Sequence, residues 1–271
     1  MRIDGHHHLW SLARGDYGWL TPALGAIHRD IDIADWQRQA GPCGVIGGIL
    51  VQAAPTEAET RFLLDAAAQA TDAVLGVVGW VDLARGDGAA RVERCARAPR
   101  LKGLRPMLQD IADPDWILQS AVAPALAAMA ACGLTFDALI TPVHLPRIRT
   151  LARRHPDLTI VIDHGAKPDI ARDQFEPWAT DIKRVADETG AFCKLSGLLT
   201  EAGSHPERTP RYLAHLLACF GPDRLIWGSD WPVLERAAAY ADWHTMATTA
   251  IAPDHHRAIF ADNARRAYRL A

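Results

Sequence analysis

Eight short apolar runs punctuate the chain. They cover residues 2–6, 45–52, 74–81, 101–105, 135–140, 158–164, 191–196 and 224–228. The runs are mostly β-branched or aliphatic and show no clear apolar–polar alternation, which suits strands buried on both faces of a parallel sheet. Longer stretches between them carry helical periodicity. These are 56–67, 124–129 with a stop at Gly133, 146–154 ending before Pro156, 175–189 stopped by Gly190, 210–220 stopped by Gly221, and a tail over 253–270. Glycine just past the last periodic residue is a common helix terminator. The pattern predicts an α/β fold, a (β/α)8 TIM barrel, forming one domain over residues 1–271. An open doubly wound sheet is the rival, and it calls for a glycine-rich phosphate turn after the first strand. This chain has His6, His7 and His8 there instead.

That histidine run is where chemistry enters. An expression tag would carry a longer run and a linker, whereas apolar Leu9 and Trp10 follow at once. In an extended strand His6 and His8 face one way and His7 the other. Two imidazoles on one side of a strand end can hold a metal or polarise a carbonyl. Asp4 is expected to tie the barrel bottom or to orient His6.

Barrel active sites lie at the C-terminal ends of the strands. The ends read here are His6 and His8, then Gln52, Arg105, His164, Lys194 with Ser196, and Asp230 with Trp231. Each has a plainer reading. A lone histidine is often only hydrogen-bonded structure, Asp230 could cap a following helix, Lys194 could snorkel to the rim, and Gln52 could bond loop backbone. Together they are expected to converge on one mouth from opposite ends of the chain.

Composition narrows the function class. The chain has 271 residues, 49% hydrophobic and 23% charged, with a formal net charge of -3. The scattered Lys and Arg suggest neither a nucleic-acid partner nor an anionic membrane face. No run approaches the roughly 18 apolar residues of a membrane span. The N-terminus lacks the apolar stretch of a signal peptide. Five cysteines without C-x-x-C spacing fit a reducing cytoplasm. Nine tryptophans suggest a pocket walled by rings as well as a core.

The blocks "IDGHHHLW", "ILVQAAPTEAET", "GVVGWVDL", "KGLRPMLQD", "VIDHGAKP", "KLSGL", "LIWGSDWPV" and "IFADNARRAYRL" run nearly end to end. In that order they resemble the amidohydrolase-2 group of the amidohydrolase superfamily. The resemblance is nearest to its sugar-lactone hydrolases, such as those acting on L-fuconolactone and L-rhamnonolactone. A lactonase for 2-pyrone-4,6-dicarboxylate is a relative. The resemblance implies a (β/α)8 barrel with His6, His8, His164 and Asp230 as catalytic and metal-ligating residues. The chain departs from a two-metal pattern: Lys102 precedes Arg105 without being a clear bridging ligand, and His144 comes only in the loop after the fifth strand. It therefore implies one divalent ion, zinc, which turnover need not require.

Lactone hydrolysis needs an activated water, help for the oxyanion and a proton for the leaving alkoxide. Asp230 is expected to take the water's proton, while His6, His8 and His164 polarise the carbonyl with or without the ion. Arg105 and Arg147 make no dense carboxylate-binding cluster, so a neutral sugar lactone such as L-fuconolactone is favoured. Arg105, Gln52, His144, Trp10 and Trp231 are expected to bind it. A pyrone-dicarboxylate lactonase, a zinc-dependent decarboxylase and a non-catalytic sugar-binding barrel are the alternatives. Homo-oligomerisation is left open.

Overall fold

The computed structural model describes residues 2–270. Eight strands follow in chain order: β1 (Arg2–His7), β2 (Val45–Val51), β3 (Val74–Gly79), β4 (Leu101–Leu104), β5 (Thr135–Ala138), β6 (Ile160–Ile162), β7 (Phe192–Leu195) and β8 (Leu225–Trp227). Each pairs in parallel with the next. Between and after them run α1 (Ile33–Ala40), α2 (Glu57–Gln69), α3 (Gly88–Cys95), α4 (Ala123–Ala131), α5 (Leu145–Arg154), α6 (Trp178–Glu188), α7 (Leu198–Ala202), α8 (Thr209–Phe220), α9 (Tyr240–Ala250) and α10 (Asn263–Tyr268). The fold is a TIM-type barrel. β8 and β1 close the ring without a regular ladder: Asp230 N–H donates to His6 O and His8 N–H to Trp231 O, both at 2.8 Å.

The predicted strands are all present, most shortened by one or two residues at an end because the chain turns into the loops that carry polar groups. Helices α1, α3, α7 and α9 lie outside the helical stretches predicted from the sequence. α1 and α3 are each two turns long with few apolar anchors, Trp36 and Ala40 in one and Val92 in the other. Local chemistry supports α1: Asp32 caps it by accepting from Asp35 N–H at 2.8 Å. The predicted tail helix is in fact broken into a 3-10 turn (Pro253–His255), a π-helical turn (Ala258–Asp262) and α10.

That broken tail has a task. Ala261, Ala264, Ala267 and Tyr268 pack with Ile3, Ile49, Val51, Val78, Val161, Phe192 and Ile226. These strand residues are the inward-facing positions, so the tail plugs the N-terminal end of the barrel. Thr135 Oγ1 donates to Ala267 O at 2.7 Å, and Asn263 donates to Leu225 O at 2.7 Å. A second, larger apolar cluster lies between the sheet and the helices. Each fully buried Leu, Ile or Val contributes about 1.5–3 kcal/mol over its exposed state. No helix among the described residues is long and apolar enough to cross a membrane.

Candidate active site

Strict alternation along β1 would not deliver the histidines. Ile3 faces the barrel interior, so His6 would face out. The pairing register with β2 is irregular between Asp4 and His7, and this resets the phase. His6 and His8 then both point to the site, while His7 stacks on Trp36 at 4.3 Å between ring centroids. Asp4 sits outside the ring near the same end. Its carboxylate accepts from Ser229 N–H and Oγ, Trp36 Nε1, Tyr240 OH and His6 N–H, at 2.6–3.1 Å. It therefore ties β1 to the β8 loop and orients His6 through the backbone; it does not tie the barrel bottom.

The four residues singled out by the sequence meet around one carboxylate oxygen. Asp230 Oδ1 lies 3.2 Å from His8 Nε2, 3.6 Å from His6 Nε2 and 3.8 Å from His164 Nε2. His6 Nε2 and His8 Nε2 are 3.2 Å apart. His164 and Asp230 both adopt left-handed backbone, with φ of 53° and 58°. Such conformations cost of the order of 1–3 kcal/mol and gather at functional sites. Two glycines make the approach feasible. A Cβ on Gly228 would lie 2.8 Å from His6 Cβ, and one on Gly197, itself at φ +67°, would strike the His164 ring at 2.7 Å.

Each imidazole is held from behind. His8 Nδ1 donates to Val51 O at 2.8 Å, and His164 Nδ1 shares a hydrogen bond with Ser196 Oγ at 2.8 Å. His6 Nδ1 faces Lys194 Nζ at 3.0 Å. Lys194 also reaches Asp137 at 2.6 Å and Asp163 at 2.9 Å, Arg105 reaches Asp163 at 3.1 Å, and Tyr268 OH donates to Asp137 at 2.8 Å. Two cations and two carboxylates thus neutralise one another under the site. Buried charges persist only when paired in this way.

Burial disfavours charge on His6, His164, Asp137, Asp163 and Asp230, and neighbours decide the outcome. Burial, then Lys194, pushes His6 well below its ordinary value, leaving it neutral. Burial pushes His164 down to about 4. For Asp230 burial works the other way, yet the three facing imidazoles outweigh it and hold the carboxyl below the usual range. Burial likewise opposes charge on Asp163, but Lys194, His6 and Arg105 hold it well down; at Asp137 burial wins over Lys194 and the group is raised.

Above the four residues lies a cavity of about 210 Å³, lined among others by Trp19, Arg105, Met107, Gln109, Lys167 and Arg236. It is smaller than the roughly 300–1,000 Å³ of pockets for drug-sized ligands. A larger crevice of about 330 Å³ opens where β6 and β7 begin, at the other end of the barrel and away from these groups. The sequence reading placed Gln52, His144, Trp10 and Trp231 on the cavity wall; the structure sets all four behind it. Gln52 Nε2 donates to Arg105 O at 2.8 Å, and the Gln52 backbone carbonyl accepts from the Arg105 guanidinium. His144 Nδ1 accepts from Thr141 N–H at the start of α5. The indole N–H groups of Trp10 and Trp231 are spent on Arg29 O and Glu235. Arg147 pairs with Asp115 on the surface. The ring at the mouth is Trp19, 36% exposed, its N–H donating to Ala53 O at 2.8 Å. Asp137 and Asp163 carry one legible signal, an acidic residue inside an apolar run.

Two overlapping sets could hold a metal ion: His6, His8 and Asp230, and His6, Asp163 and His164, with donor atoms in each set within 4.8 Å of one another. Imidazole nitrogen with carboxylate oxygen suits zinc.

Comparison with known proteins agrees with this geometry. The chain is 44% identical to an L-fucono-1,5-lactonase of Burkholderia ambifaria, over 99% of this chain and 96% of that protein. It is 33% identical to an L-fucono-1,5-lactonase of Burkholderia multivorans, over 100% and 96%. A crystal structure of an amidohydrolase from Burkholderia multivorans with bound zinc superposes with a TM-score of 0.93 at 31% identity, covering all of both chains. The Amidohydrolase family matches residues 3–270. The chain belongs to the amidohydrolase family.

Proposed function

We propose that the protein is a carboxylic-ester hydrolase that opens a neutral sugar lactone, L-fucono-1,5-lactone or a close relative, to the sugar acid. One observation carries the reading: a single carboxylate oxygen faces three imidazole nitrogens at 3.2–3.8 Å on a cavity floor. The two lactonase relatives supply the substrate class.

In this reading the lactone carbonyl lies against the imidazoles. A water within about 3 Å of Asp230 gives up a proton to it as the water oxygen adds to the carbonyl carbon. N–H donors and Arg105 stabilise the oxyanion, a contribution of the order of 10²–10³ in rate per donor. The tetrahedral species collapses, the bond to the ring oxygen breaks, and Asp230 returns its proton to that oxygen. A divalent ion, zinc being the one the donor set suits, would be held by the His6, His8 and Asp230 set or by the set containing His164, and would polarise the carbonyl and acidify water.

The cavity supports a neutral substrate over a dicarboxylate. Its cations are largely satisfied: Arg105 by Asp163, and Lys167 by Gln109 at 2.9 Å and Glu201 at 3.2 Å. Trp19 offers a ring face to sugar C–H groups. All five cysteines are free, which suits a cytoplasmic enzyme. A pH-indicator assay over neutral aldonolactones and charged pyrones, with and without chelator, tests the proposal. Turnover of a neutral sugar lactone is expected; turnover of pyrones alone would overturn it.

A further inference from the structure

Glu59 is fully buried in the first turn of α2, where a carboxylate is costly unless its oxygens are hydrogen-bonded. Its place in the helix predicts a partner. Thr56 caps α2 by accepting from Glu59 N–H at 3.0 Å, and a glutamate three residues past a capping threonine ordinarily reaches back to the threonine N–H. Here Thr56 N–H donates to Ala54 O at 2.9 Å instead. The Glu59 carboxylate turns away from its own helix. Oε2 accepts from Tyr17 OH at 2.6 Å and Oε1 from Ala53 N–H at 3.0 Å, with Arg14 Nη2 3.4 Å from Oε2.

Both hydrogen-bond donors lead to Trp19. Tyr17 precedes it by two residues in the segment after β1. Ala53 O accepts from Trp19 Nε1 at 2.8 Å, and Ala53 and Trp19 both line the cavity. Glu59, Tyr17, Trp19 and Ala53 thus form a closed circuit with one buried carboxylate joining its two arms. Other supports are less specific. Trp10 and Ile31 exchange backbone hydrogen bonds at 2.9 and 3.2 Å, which pins only the base of the segment. The Trp10 ring meets the Trp19 ring edge-on at 5.5 Å, a contact that does not fix the Trp19 N–H. Arg14 donates to Ala58 O at 3.3 Å and Thr56 Oγ1 to Asp16 at 2.9 Å, but Arg14 and Asp16 are partly open to water. An apolar side chain at position 59 would fill the same space, yet it would offer nothing to two aimed donors.

We propose that Glu59 is a positioning residue that sets Trp19 at the cavity mouth, so that the indole face meets the ring of the bound lactone. Glu59 then acts on affinity for the sugar without touching it. The nature of the bound ring rests on the lactonase reading; the hold on Trp19 does not. A glutamate that merely steadied α2 would leave the Trp19 N–H as it is.

The test uses the full chain with ¹⁵N-labelled tryptophan. The Trp19 indole signal, one of nine, is the one missing from Trp19→Phe. In Glu59→Met the exchange of this N–H with water is expected to speed up about tenfold or more, as a local opening, while the signals of buried Trp178 and Trp243 stay in place. Glu59→Gln, whose amide accepts from Ala53 N–H and donates to Tyr17 OH, is expected to keep most of the protection. On L-fucono-1,5-lactone, Glu59→Met is expected to raise KM about two- to tenfold with a smaller change in kcat, as for the loss of one ring contact. Combined with Trp19→Ala it is expected to raise KM no further, because the ring it positions is gone. Unchanged exchange at Trp19 in Glu59→Met overturns the proposal, and so do KM effects that multiply in the double variant. If Glu59→Met does not fold, Tyr17→Phe removes one arm of the circuit and reads the same signal, and unchanged exchange there overturns the proposal as well. Faster exchange at Trp19 in the variant, beside a wild type that turns over no lactone, would remove the substrate reading and leave the hold on Trp19 intact.

Discussion

The two ends of the barrel are built on opposite principles. At the C-terminal rim, His6, His8, His164 and Asp230 crowd together with two non-glycine residues in left-handed backbone and no apolar filling between them. At the other end the tail inserts alanines and Tyr268 among aliphatic side chains. The rim stores strain and unsettled charge; the plug is ordinary close packing, which holds the ring in shape. Between them lies the paired layer of Lys194, Arg105, Asp137 and Asp163, which isolates one from the other. The comparison teaches that rim substitutions should cost rate and plug substitutions should cost stability.

The largest expected effect is at the rim. Asp230→Asn should lower kcat by about 10²–10⁴ while folding normally, because it keeps shape and removes the base. A lactone assay beside a melting curve checks it, and normal turnover would end the contrast between the ends.

Acid should attack the rim next. His164 is pushed down to about 4 in the folded protein against an ordinary 6.5, so the unfolded chain binds the extra proton first. The stability that goes with a neutral His164 is complete above pH 6.5 and is lost as pH falls towards 4, by roughly 3 kcal/mol. Urea titrations at steps of pH should show the decline, and His164→Gln should flatten it.

A smaller effect is expected at the plug. Tyr268→Phe removes the hydroxyl that donates to Asp137, at a cost of about 1–3 kcal/mol in unfolding free energy. Its kcat/KM should stay within a few-fold of wild type. A kinetic loss as large as that of Asp230→Asn would show that the middle layer transmits rather than isolates.

The smallest effect belongs to the mouth. Trp19→Ala should raise KM a few-fold with little change in kcat, as expected for roughly 0.5–1.5 kcal/mol of ring packing. A kcat loss instead would place Trp19 in the chemistry.

The strands are legible in the sequence because a parallel sheet covered on both faces demands unbroken apolar runs, and those runs stand out from Ala-, Leu- and Arg-rich helices. His6, His8, His164 and Asp230 are legible because each ends such a run or lies two residues past it. The support beneath them is not. Alternation tells which side chains face inward but not which meet across the ring, so Asp137 and Asp163 gave no hint of sharing Lys194. Nor could a pattern of hydrophobicity separate Trp19 at the mouth from Trp10 behind it. Both lie in the long segment after β1, and only the path of that segment exposes one ring. The broken tail reads as one helix because its alanine-rich periodicity continues through the π turn.

The seam between β8 and β1 bears on how the enzyme comes into being. The hydrogen bonds that join Asp230 N to His6 O and His8 N to Trp231 O are made between the first and last strands to leave the ribosome. A nascent or truncated chain holding the three histidines therefore lacks the Asp230 carboxylate and the closed wall that aims them. Chemistry and ring closure arrive in one event, so a half-made copy has nothing with which to act.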